Sequence, residues 1–514
     1  MKLIMIVPLM LSLVFVVACS RQGTGLMSDD IVEIPNATNY EIYEDNVVFL
    51  PATIGDSIQE ELSYPHFLED LAYMQYVLEN NFALFDVAFW ARGVDIPAIF
   101  ANIHEEIHSG YIVHIDDFYA SLVRGFSPLN NVGHFSFMSP AVHEDIVNDG
   151  RAWQNHFFPT AVYARLRYPH VMAFYEPRHP GNLDIGIINS EESRAESLRV
   201  MSDEAFLHWM AYVGLFVNRE MVEEITQAFL DGDYIGAARL ERDAQEIISD
   251  TPNVVTEIIK EGSIAYLAVN SFWASPAEGE AEVFNFYEEI RGFDHLIIDL
   301  RRNRGGSADW FRQNIMGPNI DSVLSIEGFA FLSYGHYAAE FIPASGLIRS
   351  RSLNPVTIVQ SIDDELREVA EVLEDSYLPY INMDDMERMD YGFRIRARVS
   401  PNRSSRFDNQ PAFSGKIWML TGPWMTSATQ ISAWIAYDTG FATLVGEITG
   451  GHYGGARTMV ALPNSGIVFT MDTLYVTDRH GRPLEAGTIP HHFNREGMDA
   501  LETVLAMIAE RNNN

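Results

Sequence analysis

The apolar positions of this chain change period several times, and each change marks a different kind of element. From about residue 64 to 125 they recur at three and four. Phe67, Leu71, Met74 and Leu78 share one helical face, and Ile99, Ile103 and Ile107 share another further on. A polar loop follows, Ser127-Pro-Leu-Asn-Asn-Val-Gly133-His134-Phe-Ser136. Residues 151–258 mix the patterns, with a helix predicted from Ser202, a hydroxyl at the N-cap position with Asp203 and Glu204 in the first turn. From Ser263 the pattern turns to α/β: a strand Ile264–Asn270, a helix over 281–291 and a buried strand Leu296–Leu300. The rhythm breaks over 320–412, where an acidic helical segment is expected around Asp363–Met389. It resumes with a strand at 417–421, a helix from about Ala428 to Tyr437 and a strand Ala442–Val445. A hairpin turning at Pro463-Asn-Ser-Gly466 and a helix over 498–510 close the chain. No internal repeat appears, and the alternation after Ser263 puts the fold in the α/β class.

The N-terminus has its own pattern: Lys2, an apolar run Leu3–Val17 too short for a spanning helix, then Ala18 and Cys19, the single cysteine. This resembles a bacterial lipoprotein signal. The resemblance implies cleavage before Cys19, a lipid on its sulfur, and an extracytoplasmic protein anchored to a bacterial membrane. An ordinary secretory signal with a chance cysteine is the alternative. With one cysteine no intrachain disulfide forms, so stability must come from the core. At 514 residues and 47% hydrophobic composition that core can be large and split into domains. The expected division is a signal over 1–18, a tether over 19–35, a helical domain over 36–150, a mixed helical insertion over 151–258, and a core over 259–514 carrying the acidic insert at 320–412. Net charge is −37, from 71 acidic and 34 basic residues, which argues against a nucleic-acid partner because phosphate backbones demand a basic face.

Two segments end hydrophobic strands in unusual turns: Asp299-Leu-Arg-Arg-Asn303-Arg-Gly305-Gly306 and Gly422-Pro-Trp-Met-Thr-Ser427-Ala428-Thr-Gln430. Ser427 falls between a strand and a helix, where backbone N–H groups are free and carry partial positive charge. A serine there can attack a carbonyl while the Ala428 N–H faces the developing negative charge. The glycines after Asp299 let backbone approach a substrate, so the N–H of Gly305 or Gly306 can be a second oxyanion donor. The serine also needs a base, and spacing alone does not choose among 16 histidines.

Those two motifs, with Leu444-Val-Gly-Glu-Ile-Thr-Gly-Gly451, are similar in order and spacing to the S41 serine peptidases, which include the C-terminal processing proteases and the tricorn core protease. The resemblance covers roughly residues 64–140 and 260–510. It implies an α/β, ClpP/crotonase-like core of stacked ββα units with an N-terminal helical domain and helical insertions. Where the processing proteases carry a lysine base, this chain has His452. The tricorn-like branch instead takes a histidine from the upstream helical domain. His134 stands at that place and is the expected base, with His452 as the alternative. The branch's serine before the histidine is Gly133 here. Its late acidic residue corresponds to Glu485, the expected partner of the base. Its aspartate after the proline is His491 here, and its glutamate three residues after the serine is Gln430. Asp299 reads as a structural acceptor for the Arg-Gly turn. The implied mechanism uses Ser427, His134 and Glu485, with Gly305, Gly306 and Ala428 as oxyanion donors. It takes a peptide or protein substrate and needs no metal or organic cofactor.

Two other readings compete. His104-Glu105-Glu106-Ile107-His108 is a literal H-E-x-x-H, the helical zinc pair with a glutamate base, and His114 adds a third histidine at metzincin spacing. The glycine that should accompany it is displaced, since Tyr111 follows Gly110, and the helix's Ile99, Ile103 and Ile107 face reads as core. The third reading is an envelope binding protein without activity on the same scaffold.

Overall fold

The structure is a computed structural model that describes residues 41–43, 46–48, 62–148, 164–179, 213–273, 279–333, 361–362, 366–402, 404–452 and 455–512. It also describes single positions at 195, 198, 206, 210, 335 and 337. Residues 1–55 form one unit and 56–514 another. Within the first, strands β1 (Glu41–Tyr43) and β2 (Asn46–Val48) pair antiparallel. Cys19, the expected signal and the tether lie outside the described residues, as does the predicted helix start at Ser202.

The second unit opens with helices α1 (Tyr64–Asn81), α2 (Phe85–Arg92), α3 (Ile96–His108) and α4 (Ile115–Gly125). Asp95 caps α3 by accepting the Ala98 N–H at 2.9 Å, and Gly93 ends α2 in a left-handed conformation at φ +70°. A short strand β3 (Ser136–Phe137) and helix α5 (Pro140–Asn148) follow, then α6 (Pro169–Tyr175), α7 (Arg219–Leu230) and α8 (Tyr234–Asp250). The remaining elements are β4 (Val254–Lys260), β5 (Ile264–Val269), α9 (Glu280–Glu289), β6 (His295–Asp299) and β7 (Leu324–Leu332). After these come β8 (Ser361–Ile362), β9 (Arg367–Glu368), β10 (Tyr391–Val399), β11 (Lys416–Thr421), α10 (Ala428–Thr439) and β12 (Thr443–Gly446). β13 (Gly455–Ala461), β14 (Val468–Asp478), β15 (His492–Phe493) and α11 (Ala500–Asn512) complete the chain.

The strands form two sheets. One runs β15-β12-β11-β6-β5-β4, parallel except for β4. Its central strands β5, β6, β11 and β12 are buried on both faces, as parallel sheets require, while the edge strands β4 and β15 are more exposed. Leu296, Ile298 and Met419 face one core with α9 and α10, while Ile297, Trp418 and Leu420 face α11. The other sheet runs β13-β14-β7-β10-β8 with β3 added to β14, all antiparallel. Phe469, Met471 and Tyr475 of β14 pack in one cluster with Phe67, Met74 and Leu78 of α1, while Leu474 and Val476 join the cluster shared with the parallel sheet. The antiparallel sheet is therefore a middle layer between the helices and the parallel sheet.

The expected helical segment around Asp363–Met389 holds two helices, and within 320–412 it is flanked by strands that the sequence reading did not include. Its helices over 369–374 and 383–386 are short, while β7 and β10 are nine-residue strands paired along their whole length. Alternation in Phe-Arg-Ile-Arg-Ala-Arg-Val carried that strand signal and outweighed the acidic flanks.

Candidate active site

The carboxyl ends of the parallel strands gather three turns at one edge of the sheet, the place where open α/β sheets build their sites. The turn after β6 is organised by Asn303, which is fully buried. Its Nδ2 donates to the Val269 carbonyl at 3.1 Å, and its Oδ1 accepts from the Gly305 N–H at 2.9 Å and the Thr429 hydroxyl at 2.6 Å. Phe272 closes the turn from the other side, donating to Gly305 O and accepting from Ser307 N. Gly305 and Gly306 have φ of +107° and +122°. A Cβ on Gly305 would lie 3.0 Å from the Cβ of Ser427, and one on Gly306 would lie 2.3 Å from the Phe272 carbonyl carbon. Both positions thus require glycine. Thr426 Oγ1 donates to Arg304 O at 2.9 Å and ties this turn to the one after β11.

Ser427 ends that second turn as the N-cap of α10, with φ +54° and ψ −122°. This is a glycine-like conformation that a serine adopts only when its surroundings over-determine it. Its N–H donates to Gly451 O at 3.1 Å, and its carbonyl accepts the Ile431 N–H at 3.0 Å as the helix begins. The hydroxyl is left facing His134, with Oγ 3.1 Å from Nε2.

His134 arrives from the loop between α4 and β3. Pairing of β3 with β14, Ser136 opposite Thr470 and Phe137 opposite Phe469, anchors that loop on the middle sheet. Thr470 Oγ1 donates to His134 O at 2.6 Å. Two residues further along β14, the fully buried Asp472 meets His134 twice. Its Oδ2 lies 3.0 Å from the backbone N and 2.8 Å from Nδ1, with Oδ1 3.1 Å from Nδ1. An ionised carboxylate there accepts from Nδ1–H, which leaves the Nε2 lone pair toward the Ser427 hydroxyl. Across the hairpin Arg457 pairs in register with Asp472; burial lowers its pKa and the Asp472 charge opposes that shift. A hydroxyl, an imidazole and a carboxylate in this chain can move a proton off the serine.

Two N–H groups border the hydroxyl. Among the described residues no hydrogen bond occupies those of Ala428 and Gly306. The Gly305 N–H is committed to Asn303, so of the two glycines named from the sequence only Gly306 has a donor to offer.

Glu485 is not the carboxylate on His134; Asp472 is. Glu485 is fully buried on a short turn before β15, its Oε1 3.9 Å from Arg92 Nη2. Gly133 explains the substitution: at φ +54°, a Cβ there would lie 2.8 Å from Asp472 Oδ2, so the carboxylate occupies the space a side chain at 133 would take. Gln430 is buried and structural, its Nε2 donating to Thr488 Oγ1 at 3.0 Å while Thr449 Oγ1 donates to its Oε1. His491 accepts the Leu444 N–H at Nδ1 and stacks on Tyr437, and burial lowers its pKa. His452 follows Gly451 at φ +53°; the imidazole on Ser427 is that of His134. Asp299 holds Arg301 through Nε and Nη2 and accepts from Tyr266, a structural acceptor as its position suggested.

The H-E-x-x-H set does not converge. His104 and His108 are neighbours on α3, with ring centroids 4.3 Å apart, and Tyr64 OH is hydrogen-bonded to His108. His114 is the N-cap of α4, where its N–H donates to Asp117 at 2.9 Å. Among the described residues, which include His104, Glu105, His108 and His114, no group of three or more His, Cys, Asp or Glu side chains is arranged to hold a metal ion.

Asp472 escaped the sequence reading, although a signal was there. It is the lone charge in Val468-Phe-Thr-Met-Asp-Thr-Leu-Tyr-Val-Thr, and an isolated carboxylate inside a buried strand needs a partner. Arg92 escaped it too, since a cation in the last turn of a helix has an ordinary explanation.

The family model described as peptidase family S41 matches residues 263–322 and 361–493. No curated protein matches the sequence. Among solved structures, a candidate peptidase from Parabacteroides merdae shares 14% identity, with 87% of this chain and 96% of that chain covered at a TM-score of 0.42. Mature CPAF complexed with lactacystin shares 12%, over 87% and 97%, at 0.45. The photosystem II D1 C-terminal processing protease shares 13%, over 48% and 49%, at 0.28.

Proposed function

We propose that this chain, which is similar to peptidase family S41 over residues 263–322 and 361–493, is a serine peptidase that cleaves peptide bonds through an acyl-enzyme on Ser427. His134 Nε2 takes the hydroxyl proton as Oγ bonds to the substrate carbonyl carbon. The carbonyl oxygen becomes an oxyanion held by the Ala428 and Gly306 N–H groups, an arrangement in which one donor is typically worth about 3 kcal/mol of barrier. His134 then gives its proton to the leaving nitrogen as the C–N bond breaks. Water, deprotonated by the same imidazole, attacks the acyl-enzyme and frees Ser427. Asp472 keeps Nδ1 protonated and balances the transient imidazolium.

The observation that carries this reading is the unbroken contact from Asp472 through His134 to Ser427, 2.8 Å and then 3.1 Å. The substrate is a peptide or protein. The N-terminal pattern ending at Cys19 supports an extracytoplasmic protein tethered by lipid to a bacterial membrane, and the net charge of −37 supports the absence of a nucleic-acid partner.

The test is hydrolysis of a peptide library by the full chain, read by mass spectrometry, with wild type, Ser427→Ala and chelator-treated wild type in parallel. Cleavage lost only in Ser427→Ala is expected. Cleavage lost only with chelator would overturn the reading.

A further inference from the structure

Arg92 lies in the last turn of α2, yet its guanidinium reaches the nucleophile edge of the parallel sheet. Nη2 donates to Gly450 O at 2.5 Å and to Glu485 O at 2.9 Å, two carbonyls from different turns. The same nitrogen is 3.9 Å from Glu485 Oε1, and the Arg92 side chain is 27% exposed while that of Glu485 is fully buried. A cation donating to two carbonyls, with a buried counter-charge behind it, is a charge-assisted clamp and not a solvated helix-end charge.

The clamp closes on the residue that holds Ser427. Gly451 follows Gly450, and its carbonyl accepts the Ser427 N–H at 3.1 Å, while Thr426 and Gly451 form a parallel bridge. Gly451 has φ +71°, and a Cβ there would lie 2.0 Å from Glu485 O and 2.7 Å from Arg92 Nη2. Glycine at 451 is therefore what lets the guanidinium and the Glu485 carbonyl close around the turn. Ser427 itself is in a conformation that only external restraint sustains. Its N–H bond to Gly451 is one such restraint, and it is only as firm as the turn that offers the carbonyl.

We propose that Arg92, with Glu485 as its counter-charge, is a positioning residue for Ser427. By fixing the Gly450–Gly451 turn it holds the serine backbone in the left-handed conformation that aims Oγ at His134 and the Ala428 N–H at the oxyanion. The carboxylate that resemblance assigned to the base thus acts on the nucleophile, through a guanidinium. The helical stretch that delivers the base also delivers this clamp, so one layer sets both partners of the proton transfer. The inference rests on Ser427 being the nucleophile.

The experiment measures the rate at which a fluorophosphonate probe labels Ser427, together with kcat and KM on a cleaved library peptide. It compares wild type, Arg92→Ala, Arg92→Lys and Phe89→Ala, an exposed residue of the same helix. Arg92→Ala should lose about 10- to 100-fold in labelling rate and kcat with KM within about twofold, the pattern of a misplaced reacting group. Arg92→Lys should fall between, Phe89→Ala should match wild type, and methylguanidinium below denaturing concentration should restore part of the Arg92→Ala rate. Wild-type rates in Arg92→Ala, or a loss that only follows the unfolded fraction by circular dichroism and is not rescued, would overturn the inference. A wild type that is active but unlabelled at Ser427 would overturn the nucleophile reading itself and this inference with it.

Discussion

Asp472 binds His134 through both its backbone N–H and its ring Nδ1, at 3.0 and 2.8 Å, from a buried position in the middle of β14. The double contact fixes the loop and the tautomer at once. Asp472→Asn keeps the shape but offers an amide in place of one carboxylate oxygen, so the ring can turn its lone pair to Nδ1 and its proton toward Ser427. The expected loss in kcat is between about a hundredfold and ten-thousandfold, with the fold kept. Steady-state kinetics alongside near-UV circular dichroism would measure it. Glu485→Gln should cost less and act through the Arg92 clamp; a larger loss there than in Asp472→Asn would reverse the assignment.

The backbone of Ser427 makes a second prediction about stability alone. At φ +54° and ψ −122° any side chain is strained, and glycine is not. Ser427→Gly and Ser427→Ala both remove the hydroxyl and both should be inactive. Glycine relieves the strain but gains freedom in the unfolded chain, so the net advantage of Ser427→Gly over Ser427→Ala is about 1 kcal/mol. Urea melts of the two variants would show the difference, and equal midpoints would mean the turn carries no strain.

Gly133 is the position where tricorn-like relatives are expected to carry serine, and restoring it should harm this protein. A Cβ at 133 meets Asp472 Oδ2 at 2.8 Å and Leu84 Cδ1 at 2.8 Å, in a backbone at φ +54°. The substitution Gly133→Ser should cost about 1–3 kcal/mol of stability and lower kcat by displacing the carboxylate from Nδ1. Thermal melts and kinetics on Gly133→Ser and Gly133→Ala together separate the two effects, because both variants share the clash and only one adds a hydroxyl.

Much of the fold was legible because the elements that matter have unmixed periods. Leu296–Leu300, 417–421 and Ala428–Tyr437 appear at nearly those bounds, since buried parallel strands and the helix after them carry continuous apolar runs. The strands β7 and β10 were hidden by acidic flanks, a composition signal that says nothing about pairing partners far along the chain. At the site, Ser427, His134, Gly306 and Ala428 come together from separate motifs. Asp472 and Arg92 were out of reach for a physical reason. Each acts across more than 300 residues of sequence, 338 for Asp472 to His134 and 358 for Arg92 to Gly450, and their local patterns read as an ordinary strand and an ordinary helix end.

Asp70 gives the fold a pH dependence of unusual sign. It lies on α1, fully buried, and accepts the N–H groups of Asn464 and Ser465 in the β13–β14 turn, both at 2.8 Å. Burial dominates over those hydrogen bonds and pushes its pKa from 3.8 up to about 6. Between those values the folded protein keeps a proton that the unfolded chain releases, so this residue's contribution to stability falls as pH rises and is fully present only below about 3.8. The amount lost by neutral pH is about 3 kcal/mol. Asp70→Asn carries no titrating group there, so wild type should weaken relative to the variant by about that amount between about pH 3.5 and about pH 7. Urea unfolding of both proteins at the two pH values is the measurement. A stability difference that stays constant with pH would mean that Asp70 titrates near its ordinary value in the fold, and that the two N–H donors outweigh its burial.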